Sequence, residues 1–455
     1  MRAAAKNSVS LLILLSLPAC PRSRLPKPDG AAVVVAPENK AEAEIAAVAE
    51  IEPNDTISKA HRLLLTPTAP AAVTAAIAWP VKGKADVDTY RLGLPGADGV
   101  DAAPAPAAGP DAAVVQPRPQ TMARVEVTPE AGVALKIEVL DAMGRTVLSA
   151  AGADPGQAVV IPNLPITPAA PFVRIRRVTA GEAPGSYKIV VRVQPLEAGA
   201  EIEPDDAIAQ ANELPVPGEA IGYLGWRRDQ DYYRLPTAGL AEGSVIAADL
   251  DPIPNVSSRL ALVDATGKKV SEARGRRGER VALRNVLVPP GTAALFLVAS
   301  ADFGWSADQR YDLRVNAELP KAGAEAEPND DAAHAQAVTD GTVQGYLARG
   351  DIDVFRYTVT APVMLTVEIA PPERATAKLE IANEEGVVLG RGKPAGKGKK
   401  PLRATLRVDG GTVLIRIVAG SGEGNPDDPY RLTVTSAPVE SQAPAPPPGE
   451  PPADQ

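Results

Sequence analysis

Three six-residue stretches carry most of the chemistry-bearing side chains. They read Glu50-Ile-Glu52-Pro53-Asn54-Asp55, Glu201-Ile-Glu203-Pro204-Asp205-Asp206 and Glu325-Ala-Glu327-Pro328-Asn329-Asp330. A second acidic signature follows each: Asp86-Val-Asp88, Asp229-Gln-Asp231 and Asp351-Ile-Asp353, lying 34, 26 and 24 residues after the second motif glutamate. Carboxylates and amides at this density suit a hard cation, which takes oxygen ligands. Several carboxylates held together repel one another unless a cation sits between them. Other uses exist for the same groups. Asn or Asp can cap a helix, Asp-x-Asp can close a strand entrance in water, and paired carboxylates can hydrolyse glycosides.

The elements that must position these residues also come in threes. Glu52–Leu63 aligns without gaps to Glu203–Leu214 and Glu327–Val338, with Ala at 60, 211 and 335 and an aliphatic residue at 63, 214 and 338. This reads as one or two turns of helix capped by Asn54, Asp205 or Asn329, with the alanine and aliphatic positions facing a core. Each Asp-x-Asp runs into an alternating strand: Thr89-Tyr90-Arg91-Leu92, Tyr232-Tyr233-Arg234-Leu235 and Val354-Phe355-Arg356-Tyr357. Side chains two apart on a strand share a face, so both aspartates of a pair are expected to point the same way. Hairpin turns follow at Asp141–Gly144, Asp264–Gly267 and Asn383–Gly386; Asp or Asn opens such a turn and Gly closes it. Each block ends in a strand led by Tyr187, Tyr311 or Tyr430.

Seven or eight short strands per block predict an all-β chain of three tandem antiparallel, jelly-roll-like β-sandwiches with flexible N- and C-terminal tails. The expected divisions are a leader at 1–20, a tether at 21–48, sandwiches at 49–195, 196–317 and 318–437, and a Pro-rich tail at 438–455. Aromatic content of 4% suits thin sandwiches better than a large α/β enzyme. An Ala/Pro/Gly insertion from about Pro95 to Pro119 reads as a surface loop.

The N-terminus has a basic start, Met1 to Lys6, and an apolar run from Ser8 to Leu17, shaped like a secretory leader and too short to span a bilayer. Leu17-Pro18-Ala19-Cys20 resembles the bacterial lipobox, whose cysteine is lipidated. Cys20 is the one cysteine in the chain, so no intrachain disulfide can form. Pro21 in place of Asp implies, by analogy with the usual sorting rule, an outer-membrane lipoprotein with its lipid as the anchor.

The ordered set of acidic motif, Asp-x-Asp with an aromatic strand, Asp-x-x-Gly turn and Tyr-led strand resembles the bacterial pre-peptidase C-terminal domain. It is also similar to the collagen-binding domains of bacterial collagenases. That resemblance implies calcium held by the linker motif and an acidic loop. Carried over, the metal ligands are Glu50, Glu52, Asn54, Asp55, Asp86 and Asp88 in the first module. In the second they are Glu201, Glu203, Asp205, Asp206, Asp229 and Asp231. In the third they are Glu325, Glu327, Asn329, Asp330, Asp351 and Asp353. Asp-x-Asp is tighter than the collagenase-type spacing, which leaves the ligand set open.

A net charge of −9 gives no general drive toward nucleic acid, and no specific nucleic-acid binding is expected. The sequence has no His-Glu-x-x-His, Gly-x-Ser-x-Gly or phosphate-binding glycine loop. The two histidines, His61 and His334, fall at unshared positions and are expected on the solvated side of the short helix. Two basic loops follow the second and third hairpin turns: Arg274, Arg276, Arg277, Arg280 and Arg284, then Arg391, Lys393, Lys397, Lys399, Lys400 and Arg403. They read as solvated loops or as a contact for an anionic polymer such as envelope polysaccharide. The sequence thus points to a non-catalytic envelope protein acting as a binding or spacer array, with an extracellular protein or polysaccharide as partner. Two alternatives stay open: an accessory to a secreted hydrolase acting in trans, which would co-purify with it, and a carbohydrate-active enzyme using the Asp pairs, which would turn over glycans.

Overall fold

The computed structural model describes residues 45–78, 86–94, 121–167, 172–179, 184–373, 375–394, 401–420 and 424–439. The chain divides between Ile45 and Ala46, and the strands below all belong to the unit that starts at Ala46. The leader, Cys20, most of the tether, the 95–119 insertion, Lys397, Lys399, Lys400 and nearly all of the tail lie outside the described residues.

The described chain is all-β, with six sheets that pair into three sandwiches. The second sandwich shows the plan. One sheet orders Asn212–Glu213, Gln230–Pro236, Ala294–Phe303, Ser257–Val263 and Lys269–Arg277; the other orders Gly218–Gly222, Tyr311–Glu318, Val245–Leu250 and Val281–Leu287. The first and third modules repeat this order, with Asp88–Gly93 and Ile352–Val359 as the Asp-x-Asp strands and Gly185–Pro195 and Asn425–Pro438 as the Tyr-led strands. Strand pairing is antiparallel except at the start of each module: His61–Leu64, Asn212–Glu213 and Gln336–Val338 join the Asp-x-Asp strand in parallel, and Val48–Ala49 joins Ala71–Ile77 in parallel.

Alternation of buried and exposed residues builds a separate apolar cluster in each sandwich. With so few aromatics, the bulk comes from small β-branched residues plus Tyr90, Tyr233, Tyr311, Tyr430 and Phe355, all fully buried. The hairpin turns form as expected. Gly144, Gly267 and Gly386 take φ of 79°, 82° and 81°, and each donates its N–H to the carbonyl of the Asp or Asn that opens the turn.

The expected capped helix is corrected. In the first two modules one 3-10 turn stands there, Ile57–Lys59 and Ile208–Gln210, preceded by Thr56 and Ala207 with no side-chain cap bond. Asn54, Asp205 and Asn329 do not cap it, because all three are fully buried elsewhere. Leu63 and Leu214 do reach the core, but from the short parallel strand rather than from a helix.

Candidate metal centre

In each module the linker is laid along its own sandwich as a parallel edge segment. Glu50 donates its N–H to the Thr74 carbonyl, Glu201 to Ile221 and Glu325 to Gln344, at 3.1, 2.8 and 2.8 Å. Ten residues on from the middle motif position, a polar side chain holds the segment. His61 Nδ1 accepts from Ile51 N–H at 2.9 Å, Asn212 Oδ1 from Ile202 N–H at 3.1 Å, and Gln336 Oε1 from Ala326 N–H at 2.9 Å. Three residue types share one role, which requires only an acceptor. This corrects the reading of His61 as solvated: it is buried, and burial lowers its pKa and keeps it neutral. His334 is exposed, as expected, and bonds Asp331.

A main-chain staple then sets the register of the motif against the Asp-x-Asp strand. The carbonyls of Asn54, Asp205 and Asn329 accept the N–H of Thr89, Tyr232 and Val354, the residues just after the second aspartate, at 3.1, 3.1 and 2.9 Å. The second motif glutamate turns back to accept an N–H from its own motif: Glu52 from Asn54 at 2.8 Å, Glu203 from Asp205 at 3.3 Å and Glu327 from Asn329 at 2.9 Å. The Glu-Pro peptide between them is cis in all three copies.

These constraints bring carboxylates together. Oxygens of Glu50, Glu52 and Asp88 lie within 4.8 Å of one another, as do those of Glu325, Glu327 and Asp353. The second module holds two overlapping groups that share Asp231: Glu201, Asp205 and Asp231, and Glu203, Asp229 and Asp231. The linker motif and the Asp-x-Asp, far apart in sequence, therefore meet in every module. The two aspartates of each pair divide the work. The first closes the loop before it: Asp86 accepts from Ala78 N–H at 2.5 Å, Asp229 from Gly225 at 2.5 Å and Asp351 from Ala348 at 2.9 Å. The second, Asp88, Asp231 or Asp353, is fully buried at the centre of the cluster. Asp86 and Asp351 fall outside the grouped carboxylates, and so do Asp55, Asp206 and the exposed Asp330.

Tyrosines complete the sites, and these were read from sequence only as strand markers. Tyr187 donates to Asp88 at 2.5 Å, Tyr311 donates to Asp231, and Tyr430 donates to Glu325 at 2.9 Å. Tyr90 and Tyr233, two residues after the inner aspartate, bond those hydroxyls at 2.7 Å. The third module has Phe355 at that place and lacks the second hydroxyl. The signal was available: a tyrosine opening the last strand in all three copies is a polar tip on a buried position.

The three sites differ in depth. Glu201, Glu203, Asp205 and Asp231 are 0% exposed and Asp229 is 2% exposed, whereas Glu52 of the first site is exposed. Burial, followed by repulsion from neighbouring carboxylates, pushes the second-site acids well above the usual carboxylate range. In the third, burial first and Asp351 next push Glu327 up to about 9, and burial pushes Glu325 up to about 8 and Asp351 up to about 6. In the first, burial pushes Asp88 up to about 8.

Whether these residues fit a cation is tested by their unused atoms. Among the described residues, Asn54 Oδ1, Asp88 Oδ1, Glu203 Oε1, Asp205 Oδ1, Asp229 Oδ1 and Asp231 Oδ1 are buried without a hydrogen-bond partner. So are Glu327 Oε1, both side-chain polar atoms of Asn329, and both carboxylate oxygens of Asp353. Buried polar atoms are ordinarily paired, and a set of oxygens left over around one point is the donor set of a hard cation.

A pH dependence follows. The folded pKa values are raised above the ordinary values near 4, so without metal these groups favour folding at low pH. That contribution is full below about 4 and is lost as pH rises from there to the folded values of about 6 to 9. The chelator-treated chain is expected to melt at a lower temperature at pH 9 than at pH 5.5. Calcium affinity is expected to run the other way, rising over the same interval, because bound protons must leave. Scanning calorimetry at the two pH values, with and without calcium, checks both signs.

Several cations of the basic loops already have partners, and Arg274 and Arg284 line one cavity with Glu325, Glu327 and Asp330. Arg274 pairs with Glu272 at 2.9 Å, Arg280 with Asp249 and Asp427, and Arg284 with Asp249 at 2.8 Å. Arg277 lies over the Phe303 ring at 3.8 Å. Arg276 bonds Glu279 through its backbone, and Lys393 is exposed. Arg391 and Arg403 pair with Glu380 and Glu368. Among the described residues no helix is long and apolar enough to cross a membrane.

No protein-family model matches the chain, and no curated protein matches it. Among solved structures it is similar to the pre-peptidase C-terminal domain of the collagenase from Bacillus anthracis. That match has 16% identity and a TM-score of 0.21, covering 24% of this chain and 100% of that one. It is also similar to a protein from Eubacterium rectale described as secreted, at 8% identity and a TM-score of 0.17, covering 52% of this chain and 84% of that one.

Proposed function

We propose that the protein is a non-catalytic, lipid-anchored envelope protein, held by Cys20, whose three sandwiches form a spacer or binding array stiffened by calcium. The observation that carries this reading is the threefold convergence of linker and Asp-x-Asp carboxylates around buried oxygens that have no other partner. The donors are carboxylates and amides, which favours calcium over zinc, whose sites use histidine and cysteine. Calcium also accepts the six to eight oxygens that such crowded sites offer, where magnesium keeps water and strict octahedral geometry. Binding replaces repulsion with attraction and locks each linker onto its own module. The anchor rests on Cys20 ending the apolar run, with Pro21 favouring the outer membrane.

Calorimetry of the full chain tests the clamp. Calcium is expected to raise the melting temperature and chelator to reverse it. Each site contributes about 2.7 kcal/mol when free calcium is roughly a hundred times its Kd. Asp353→Asn is expected to remove the share of the third site. A melting temperature that ignores calcium would sink the reading.

A further inference from the structure

Modules one and two each carry a device that module three lacks. In the first, strand Val159–Pro165 is the edge of its sheet, and in the second, strand Val281–Leu287 is the edge. Both carry a bulge: Ala123 and Val125 face Leu164 and Ile161, and Ile246 and Ala248 face Val286 and Leu283, so each edge strand has one extra residue. The extra residue falls at Pro162-Asn163 and at Arg284-Asn285, and Asn285 takes a φ of +51°. The matching strand of the third module, Leu402–Val408, pairs in unbroken register, with the single residue Thr405 where the second module has Arg284 and Asn285. Its outer side is also covered by Lys393–Pro394.

Each bulge receives the next module. The carbonyl of Asn163 accepts the N–H of Glu203 at 3.0 Å, and the carbonyl of Asn285 accepts the N–H of Glu327 at 2.9 Å. At the second joint Leu287 N–H returns a bond to the Glu327 carbonyl at 2.8 Å. The equivalent residue at the first joint is Pro165, which has no N–H to give. The Asn285 side chain also favours the charged form of Glu325. A plug accompanies each bond. Trp226, three residues before Asp229, is buried in the apolar core of the first module, and Ala348, three before Asp351, packs against the core of the second.

We infer that these asparagine-bearing bulges are docking sites for the following module, and that each completes that module's metal centre. Metal binding at the second and third sites and closure of the joints are then one event. Among the described residues no module docks on the first site, which is more open. The inference rests on the metal reading above and adds the preceding module as a part of two sites. The physical reason is that Glu203 and Glu327 are held at their backbones by the preceding module while their side chains face the cluster. Fixing the backbone lowers the ordering cost of the ligand.

Titration calorimetry and small-angle scattering of the full chain, with calcium as the probe, test this. Leu287→Pro removes the returning N–H and puts at the second joint the residue that the first already tolerates. Pro165→Leu adds the missing N–H at the first joint. We expect Leu287→Pro to weaken one class of calcium sites by roughly three- to tenfold, and Pro165→Leu to tighten another by roughly threefold. Asn285→Gly, which keeps the left-handed backbone and deletes the amide, is expected to act as Leu287→Pro does, and covers a proline variant that folds poorly. Scattering should show a larger radius for the two weakened variants at limiting calcium. If wild type binds calcium and all three variants match it in affinity, the coupling is overturned while the metal reading stands. If wild type binds no calcium, both fall.

Discussion

Asp231→Asn is expected to shift the melting of the second module in opposite directions with and without calcium. Asp231 is fully buried and belongs to both carboxylate groups of that module. Without metal, burial among other carboxylates disfavours negative charge on Asp231 as pH rises. The isosteric amide removes it and still accepts the hydrogen bond from Tyr311. A gain of about 1–2 kcal/mol is expected, the scale of relieving an uncompensated buried polar group. With calcium the same change deletes an anionic ligand from the centre of the site. The stabilisation of about 2.7 kcal/mol expected at a hundredfold excess over Kd should largely vanish. Calorimetry of wild type and variant in chelator and in calcium gives four melting temperatures whose order must cross. A variant less stable in both conditions would show that Asp231 is structural alone.

Gly222→Ala should be strongly damaging for so small a substitution. An added Cβ would lie 2.1 Å from Glu201 Oε2 and 2.2 Å from the Tyr311 hydroxyl, both in the fully buried second site. Neither group can swing away: Glu201 accepts from Tyr223 N–H at 2.9 Å, and Tyr311 is bound to Asp231 and Tyr233. A loss of about 3 kcal/mol is expected from overpacking, together with the calcium response of that module. Gly93→Ala is the control, since its nearest atom is Arg62 Nε at 4.0 Å. Denaturant unfolding of both variants checks the difference; equal midpoints would refute the close-packed site. The first module already has Ala75 at this place, opposite Tyr187 as Gly222 is opposite Tyr311. One methyl group thus accompanies the shallower first site.

The graded depth of the three sites fits the joint device proposed above. A glycosidase needs its carboxylates open to a substrate, and the second site buries them completely between linker, strand and preceding module. Cation–carboxylate attraction is worth most where water is excluded, so the deepest site is also where a bound ion would stiffen the chain most.

Periodicity and repetition alone determined the all-β architecture, because alternation over short segments has one stable solution, a sandwich with an apolar interior. They also determined the hairpin turns, where only glycine suits the closing position; the pairing of each acidic motif with its own Asp-x-Asp came from the family resemblance. Tertiary structure decided which acids go inside. Asp88 and Asp353 enter the cluster while Asp55, Asp206 and Asp330 stay outside it, because the carbonyl staple from Asn54, Asp205 or Asn329 sets which side of the motif faces in. It moved those three residues from an expected helix cap to full burial, since a single 3-10 turn replaced the helix. It gave His61, Asn212 and Gln336 one shared role that their identities conceal, because a backbone N–H asks only for an acceptor. The docking bulges were invisible to sequence for the same reason: one extra residue on an edge strand shows only in the register against its neighbour.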